Sequence, residues 1–180
     1  MIIALTQREL NIRGWKYDCT SQDWFSFLDR HTLKFVPNVK DFDYEGVDCL
    51  LLPGGESTPN RDRVEEFAIN FFLQENKPII GVCHGAFFLN TYFGGVNGEI
   101  KGHRGTLHRI KMEDNDPFVA SYHTSKIETL AEDLEPIAWD LNGNVEGFKH
   151  RDKNIWGLVW HPERMVKPVL PTDLEDFLNA

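Results

Sequence analysis

The chain of 180 residues is poor in the features that mark several functional classes. Cysteine is scarce: Cys19, Cys49 and Cys83 are odd in number and widely separated, so neither a disulfide framework, a zinc ribbon nor a thioredoxin-like pair is expected. Positive charge is in deficit, with 19 Lys and Arg against 28 Asp and Glu. The resulting formal charge of −9 argues against a binder of nucleic acid polymers, which needs clustered cations to displace counterions. A single nucleotide remains compatible, since a few local cations or backbone amides suffice to hold one. Long apolar runs are missing, and Met1-Ile2-Ile3-Ala4-Leu5-Thr6 has no basic leader before Gln7, Arg8 and Glu9 interrupt it. That pattern is neither signal peptide nor membrane span, so no membrane partner is expected and the chain reads as cytoplasmic. Repeats, low-complexity tracts and a His-Glu-x-x-His signature are also lacking, and neither metal nor cofactor is expected.

What is present is a core. Hydrophobic residues make up 41% of the chain, which takes it out of the disordered regime, and the length suits one domain over residues 1–180. Short apolar runs alternate with longer amphipathic segments, the pattern of an α/β sheet. Strands are expected at residues 2–5, 33–36, 47–52, 78–82, 107–112, 125–130, 145–150 and 155–160. Helices are expected after a Thr20 or Ser21 cap, with Trp24, Phe25, Phe27 and Leu28 facing the core, and at 61–75, with Val64, Phe67, Ala68, Phe71 and Phe72 at helical spacing. Two more are expected at 86–93 and 172–178, the last opened by a Thr172–Glu175 capping box.

Three short segments carry the candidate chemistry. Gly81-Val82-Cys83-His84-Gly85 lies between an apolar strand and a helix, the context of a nucleophile elbow in its thiol form. A strained turn there lifts the reactive atom above the sheet, and the helix N-terminus favours thiolate over thiol. Taken alone, Cys83 could equally be a buried structural thiol. His161-Pro162-Glu163 follows another apolar strand, where His161 can serve as a base and Glu163 can fix its tautomer; by itself the tripeptide also suits a solvated turn. Pro53-Gly54-Gly55-Glu56-Ser57 ends a third strand and can aim backbone N–H groups at an oxyanion, assisted by the N–H of His84.

In their order, these segments resemble the class I, triad-type glutamine amidotransferase superfamily over nearly the whole chain. The resemblance implies a flavodoxin-like open, mostly parallel sheet with helices on both faces. It also implies that Cys83 is the nucleophile, His161 the base and Glu163 its orienter, with the amides of Gly55 and His84 as the oxyanion hole. Gly54 and the segment Ser121-Tyr122-His123 correspond to substrate-binding positions, the latter holding a glutamyl group largely through its backbone. Leu5-Thr6-Gln7-Arg8, Asn144-Val145-Glu146-Gly147-Phe148 and Trp156-Gly157-Leu158-Val159-Trp160 are similar to the stand-alone γ-glutamyl hydrolase branch. That branch implies hydrolysis of a small-molecule γ-glutamyl amide, with a γ-glutamyl nucleotide amidate such as CDP-glutamine, from capsule phosphoramidate synthesis, as the narrower expectation. Pro53-Gly54-Gly55-Glu56-Ser57-Thr58 is also similar to the glutaminase subunit of pyridoxal phosphate synthase. Where many relatives carry Met-Gln after the elbow glycine, this chain has Ala86-Phe87, which points to a modified glutamyl substrate.

Two other readings stand beside this one: a glutaminase subunit passing ammonia to a synthase partner, and a non-catalytic binding or redox-sensing protein on the same scaffold. A homo-oligomer is compatible with each. His84 reads as structural apart from its backbone. His103, Arg104, His108 and Arg109 form a basic cluster able to meet a phosphate, although a solvated strand face is the commoner meaning of such a run. Cys19 and Cys49 read as ordinary thiols.

Overall fold

Runs rich in Ile, Leu and Val, bounded by Pro and Gly, are suited to strands buried on both faces. A computed structural model of the chain describes residues 1–39, 42–113 and 115–180, and in it these runs pair side by side. In chain order the elements are β1 (Ile2–Thr6), β2 (Arg8–Ile12), β3 (Trp15–Cys19), α1 (Asp23–Phe27), β4 (Thr32–Val36), β5 (Cys49–Leu52), α2 (Pro59–Gln74), β6 (Ile79–Val82) and α3 (His84–Tyr92). They continue with β7 (Val96–Glu99), β8 (Arg104–Met112), β9 (Phe118–Tyr122), β10 (Ser125–Thr129), β11 (Leu134–Asp140), β12 (Val145–His150), β13 (Ile155–Leu158) and α4 (Thr172–Asn179).

Strands β4, β1, β5, β6 and β13 form a parallel core in that spatial order. This is the doubly wound arrangement expected of the α/β pattern. Alternate residues feed opposite faces: Ala4, Leu50, Leu52 and Ile79 pack against Val64, Ala68, Phe72 and Leu89 of α2 and α3. Ile3, Leu5, Leu51, Ile80 and Leu158 pack with Trp24, Leu174 and Leu178 of α1 and α4 on the other face. Beyond β13 the sheet continues antiparallel through β12, β11, β8 and β9, with β10 and β7 attached along β12. This extension holds three strands that the apolar pattern does not announce, β7, β9 and β11. Among the described residues, no helix is long and apolar enough to cross a membrane.

Several local expectations are corrected. Gln22, not Thr20 or Ser21, occupies the cap position of α1, and the Ser21 hydroxyl donates to Asp23 instead. The capping box at the last helix does not form: Pro171 is the cap residue, and Thr172 donates its hydroxyl and its amide to Glu113. Helix α2 starts earlier than expected, at Pro59, with the Thr58 hydroxyl accepting from the Arg61 N–H. Phe25 and Phe67, expected in the core, are exposed. Strands β2 and β3 form a hairpin across Arg13 and Gly14, both at positive φ, as a two-residue hairpin turn requires. Arg at the first turn position gives no sequence signal of that kind, and the strands' polar composition hides the rest.

Register decides where the loops emerge. Leu52 pairs with Gly81, and Gly81 with Gly157, so β5, β6 and β13 run out at one level. Their loops therefore begin as neighbours. Helix α3 can descend to that level only because Gly81 and Gly85 lack side chains. A Cβ on Gly85 would lie 2.1 Å from the Leu52 carbonyl oxygen, and one on Gly81 would lie 2.6 Å from the Gly85 carbonyl. Gly85→Ala is expected to destabilise the fold by about 1–3 kcal/mol or more, seen as a lower urea midpoint at unchanged slope. A wild-type midpoint would contradict this account of the helix seat.

Candidate active site

Cys83 follows β6 directly and has φ 51° and ψ −105°. Such a conformation costs a non-glycine residue about 1–3 kcal/mol and persists only where neighbours enforce it. Here the Cys83 N–H donates to the Leu158 carbonyl at 2.8 Å, and its own carbonyl accepts from Phe87 N–H at 3.1 Å. The first amide of α3, that of His84, donates toward the thiol. The helix end favours the thiolate as expected, but burial is the larger effect. It pushes the Cys83 thiol up to about 11, reinforced by the Glu163 charge and only partly opposed by the His84 amide and by Arg164 and Arg61. The sulfur needs a base.

His161 comes two residues after the fully buried Val159, which follows β13. Its Nδ1 lies 2.6 Å from Glu163 Oε1, both side chains being almost wholly buried. A carboxylate can only accept, so Nδ1 carries the proton and Nε2 presents its lone pair. Gly54 lies between this ring and the cysteine: a Cβ placed on it would lie 2.5 Å from His161 Cε1, 3.3 Å from His161 Nε2 and 3.4 Å from Cys83 Cβ. The imidazole and the cysteine thus flank a residue that has no side chain. The edge of Tyr122 packs against the His161 ring, with Arg164 over the other side of the phenol.

The Pro53-Gly54-Gly55 loop is held from beneath by a residue the sequence does not advertise. Arg61, fully buried, donates to the carbonyls of Pro53 at 2.6 Å and Glu56 at 3.2 Å, and its Nε lies 2.8 Å from Glu65 Oε1. Glu65 also accepts from the Thr6 hydroxyl, and its Oε2 is 2.8 Å from His84 Nε2. Burial works against ionisation of Glu65, but Arg61, His84 and Thr6 hold its carboxyl below the usual range. His84 accordingly acts structurally through its ring, as expected. Gly55, at φ 137°, accommodates the side chains of Arg8 and Arg61 where a Cβ would collide with both.

A cleft of about 560 Å³ opens above Cys83. Gly55, His84, Phe87, Tyr122 and His123 line it together with Cys83. Gly54 touches His161 beneath, while Ser121 is buried with its hydroxyl 2.7 Å from His108 Nε2, turned from the cleft. Ala86 is buried and Phe87 packs on the His123 ring. The reading of His103, Arg104, His108 and Arg109 as one solvated face is corrected. His108 shares the inward side of β8 with Ile110 and Met112, and His103 is buried beside it. Arg104 lines the cleft and Arg109 lies over Phe118 outside it.

The thiol of Cys83 follows β6, and the paired imidazole and carboxylate of His161 and Glu163 follow the adjacent parallel strand β13. The class I glutamine amidotransferase family model matches residues 27–180, and the chain belongs to that family. It is 30% identical, over 91% of its length and 90% of the relative's, to the γ-glutamyl-CDP-amidate hydrolase of Campylobacter jejuni. It is 28% identical to anthranilate synthase component 2 of Thermococcus kodakarensis, covering 80% of each chain. Its fold is that of a glutamine amidotransferase from Thermotoga maritima, with a TM-score of 0.72 and 15% identity over 90% of this chain and 76% of the other.

The elevated Cys83 thiol has a measurable consequence. Iodoacetamide labelling of the Cys83 peptide is expected to accelerate with pH to a midpoint of about 11, above the ordinary 9.0. Because the folded value is raised, this group's contribution to stability is complete below the ordinary thiol range and is lost as pH climbs toward the folded value. A midpoint below that of a free thiol would show that pairing with the His161 imidazole outweighs burial.

Proposed function

We propose that the chain hydrolyses a γ-glutamyl amide through Cys83, His161 and Glu163. The observation that supports this reading is that His161 Nε2 and Cys83 flank Gly54 while His161 Nδ1 is committed to Glu163. His161 takes the Cys83 proton as sulfur attacks the γ-carbonyl carbon. The tetrahedral oxyanion is received by the N–H groups of Gly55 and His84, and His161 passes the proton to the departing amine. Water, deprotonated by the same imidazole, then cleaves the γ-glutamyl thioester to glutamate and free thiol. Glu163 stabilises the imidazolium in both halves. Gly54, the backbone of Ser121 and Tyr122, and His123 hold the glutamyl group.

For the amine side, a γ-glutamyl nucleotide amidate such as CDP-glutamine suits the cleft best. The relative from Campylobacter jejuni, matched almost end to end, is a γ-glutamyl-CDP-amidate hydrolase. Among the described residues lining the cleft, Arg104 is the one Lys or Arg, and its charge suits a diphosphate. Phe87 offers an apolar wall. The similarity to a synthase component supports a second reading, a glutaminase that works with a synthase partner.

Glutamate release from glutamine, γ-glutamyl amines and γ-glutamyl nucleotide amidates separates these readings. Turnover of the amidate by the chain alone is expected, with Cys83→Ala slower by about 10³-fold or more; wild-type rates in that variant would refute the nucleophile. Activity on glutamine only with an added synthase would favour the second reading. Arg104→Ala is expected to raise KM for the amidate about 10-fold, in line with loss of one charge-assisted contact, and to leave KM for a simple γ-glutamyl amine unchanged. Equal effects on both substrates would remove Arg104 from the phosphate.

A further inference from the structure

Beside the cleft, three histidines and a glutamate converge from separate parts of the chain; the proposed chemistry employs His123 at the cleft wall and none of the other three. His103 precedes β8, His108 lies within β8, His123 follows β9 and Glu146 lies in β12. One ligand atom from each falls within 4.8 Å of all the others. Glu146 Oε1 stands 3.3 Å from His103 Nδ1, and its Oε2 stands 3.5 Å from His123 Nε2 and 3.7 Å from His108 Nε2. His103, His123 and Glu146 are each more than nine-tenths buried.

The hydrogen bonds around this cluster leave several inward-facing atoms without a partner. His123 Nδ1 lies 2.7 Å from the Ser125 carbonyl, which can only accept, so Nδ1 carries a proton and Nε2 faces the cluster. His103 turns Nε2 toward Asp140 Oδ2 at 3.6 Å, with Nδ1 facing Glu146. His103 Nδ1, His123 Nε2 and Glu146 Oε2 are buried without a hydrogen-bond partner, while His108 Nε2 has the Ser121 hydroxyl at 2.7 Å and would exchange it for a metal. Buried polar atoms left unpaired around one carboxylate are costly, and a cation at the centre would satisfy them.

We propose that His103, His108, His123 and Glu146 bind one divalent cation of the zinc class. In tetrahedral coordination with bonds of about 2.0–2.1 Å, ligand atoms stand roughly 3.3 Å apart; here one ligand atom from each residue lies within 4.8 Å of the others, so the side chains would draw in around the ion. Three imidazoles with one carboxylate suit Zn²⁺ over Mg²⁺ or Ca²⁺, which prefer oxygen ligands. Asp140 and the Ser125 carbonyl take the outer-shell positions that orient metal-bound imidazoles. Four protein ligands close the sphere, so the ion is structural. It joins the strand that ends in Tyr122 to β8 and β12 and fixes the ring of His123 at the cleft wall.

The test is metal loading of the untagged full chain, stripped with a chelator and titrated with Zn²⁺ and Co²⁺. Expected are one Zn²⁺ per chain by elemental analysis, the visible ligand-field bands of four-coordinate Co²⁺ without a thiolate charge-transfer band, and a Tm that rises with free Zn²⁺. Cys83→Ser should retain the ion, while His108→Ala, at the least buried ligand, should bind Zn²⁺ at least about 100-fold more weakly. Failure of the stripped wild-type chain to take up metal, with Tm unmoved, would overturn the proposal. So would binding that Cys83→Ser abolishes and His108→Ala spares. Neither result depends on turnover, so the outcome is separate from that of the proposed hydrolysis.

Discussion

The geometry at the strand ends depends on one carboxylate that never meets water. Glu65, inside α2, holds Thr6 at the end of β1, Arg61 one turn back on its own helix, and His84 at the start of α3. Through Arg61 it also holds the carbonyls of the Pro53-Gly54-Gly55 loop. The end of one parallel strand and the loops leaving two others are thereby keyed to a single buried charge. Such networks contribute little net stability compared with an apolar core. Removing one partner, however, leaves the others uncompensated at a cost of about 3–5 kcal/mol. The network therefore specifies an arrangement more than it strengthens the fold.

Above that base, two demands oppose each other at Cys83. Close packing of strand, glycine and helix buries the sulfur, and burial favours the neutral thiol. Nucleophilic attack requires the thiolate. In the proposed chemistry a neighbour settles this conflict: the His161 imidazole, itself buried and bonded to Glu163, which flanks Gly54 together with Cys83. A reactive thiolate is then generated when the proton has somewhere to go, and not as a standing property of the cysteine. This favours restraint over general reactivity.

The parallel core was legible because its strands are short, apolar and bounded by Pro or Gly, and because Cys83, His161 and the Gly55 loop each follow one of them. The antiparallel extension was less so. Strand β7, Val96–Glu99, carries an Asn and a Gly, and β9 and β11 mix polar with apolar residues because one face meets solvent. The hairpin of β2 and β3 was missed for the same reason. Caps were misread at Ser21 and Thr172 because both hydroxyls found other partners. Nothing in the spacing of α2 singles out Arg61 and Glu65, and only the fold shows them at zero exposure. His103 and His108 looked like part of a basic run, although the period-two alternation of β8 already set His108 with Ile110 and Met112. Their convergence with His123 and Glu146 spans too much chain for any spacing rule.

Strand β12 sits where the two halves of the sheet join. The carbonyl of Glu146 accepts from Val159 N–H at 2.8 Å, two residues before His161, while its side chain enters the histidine cluster. One residue thus belongs to two sites through different atoms. The side chain that enters the histidine cluster and the carbonyl that seats the segment leading to His161 thus sit on one residue, and the cleft wall and the proposed base are joined through a single stretch of backbone.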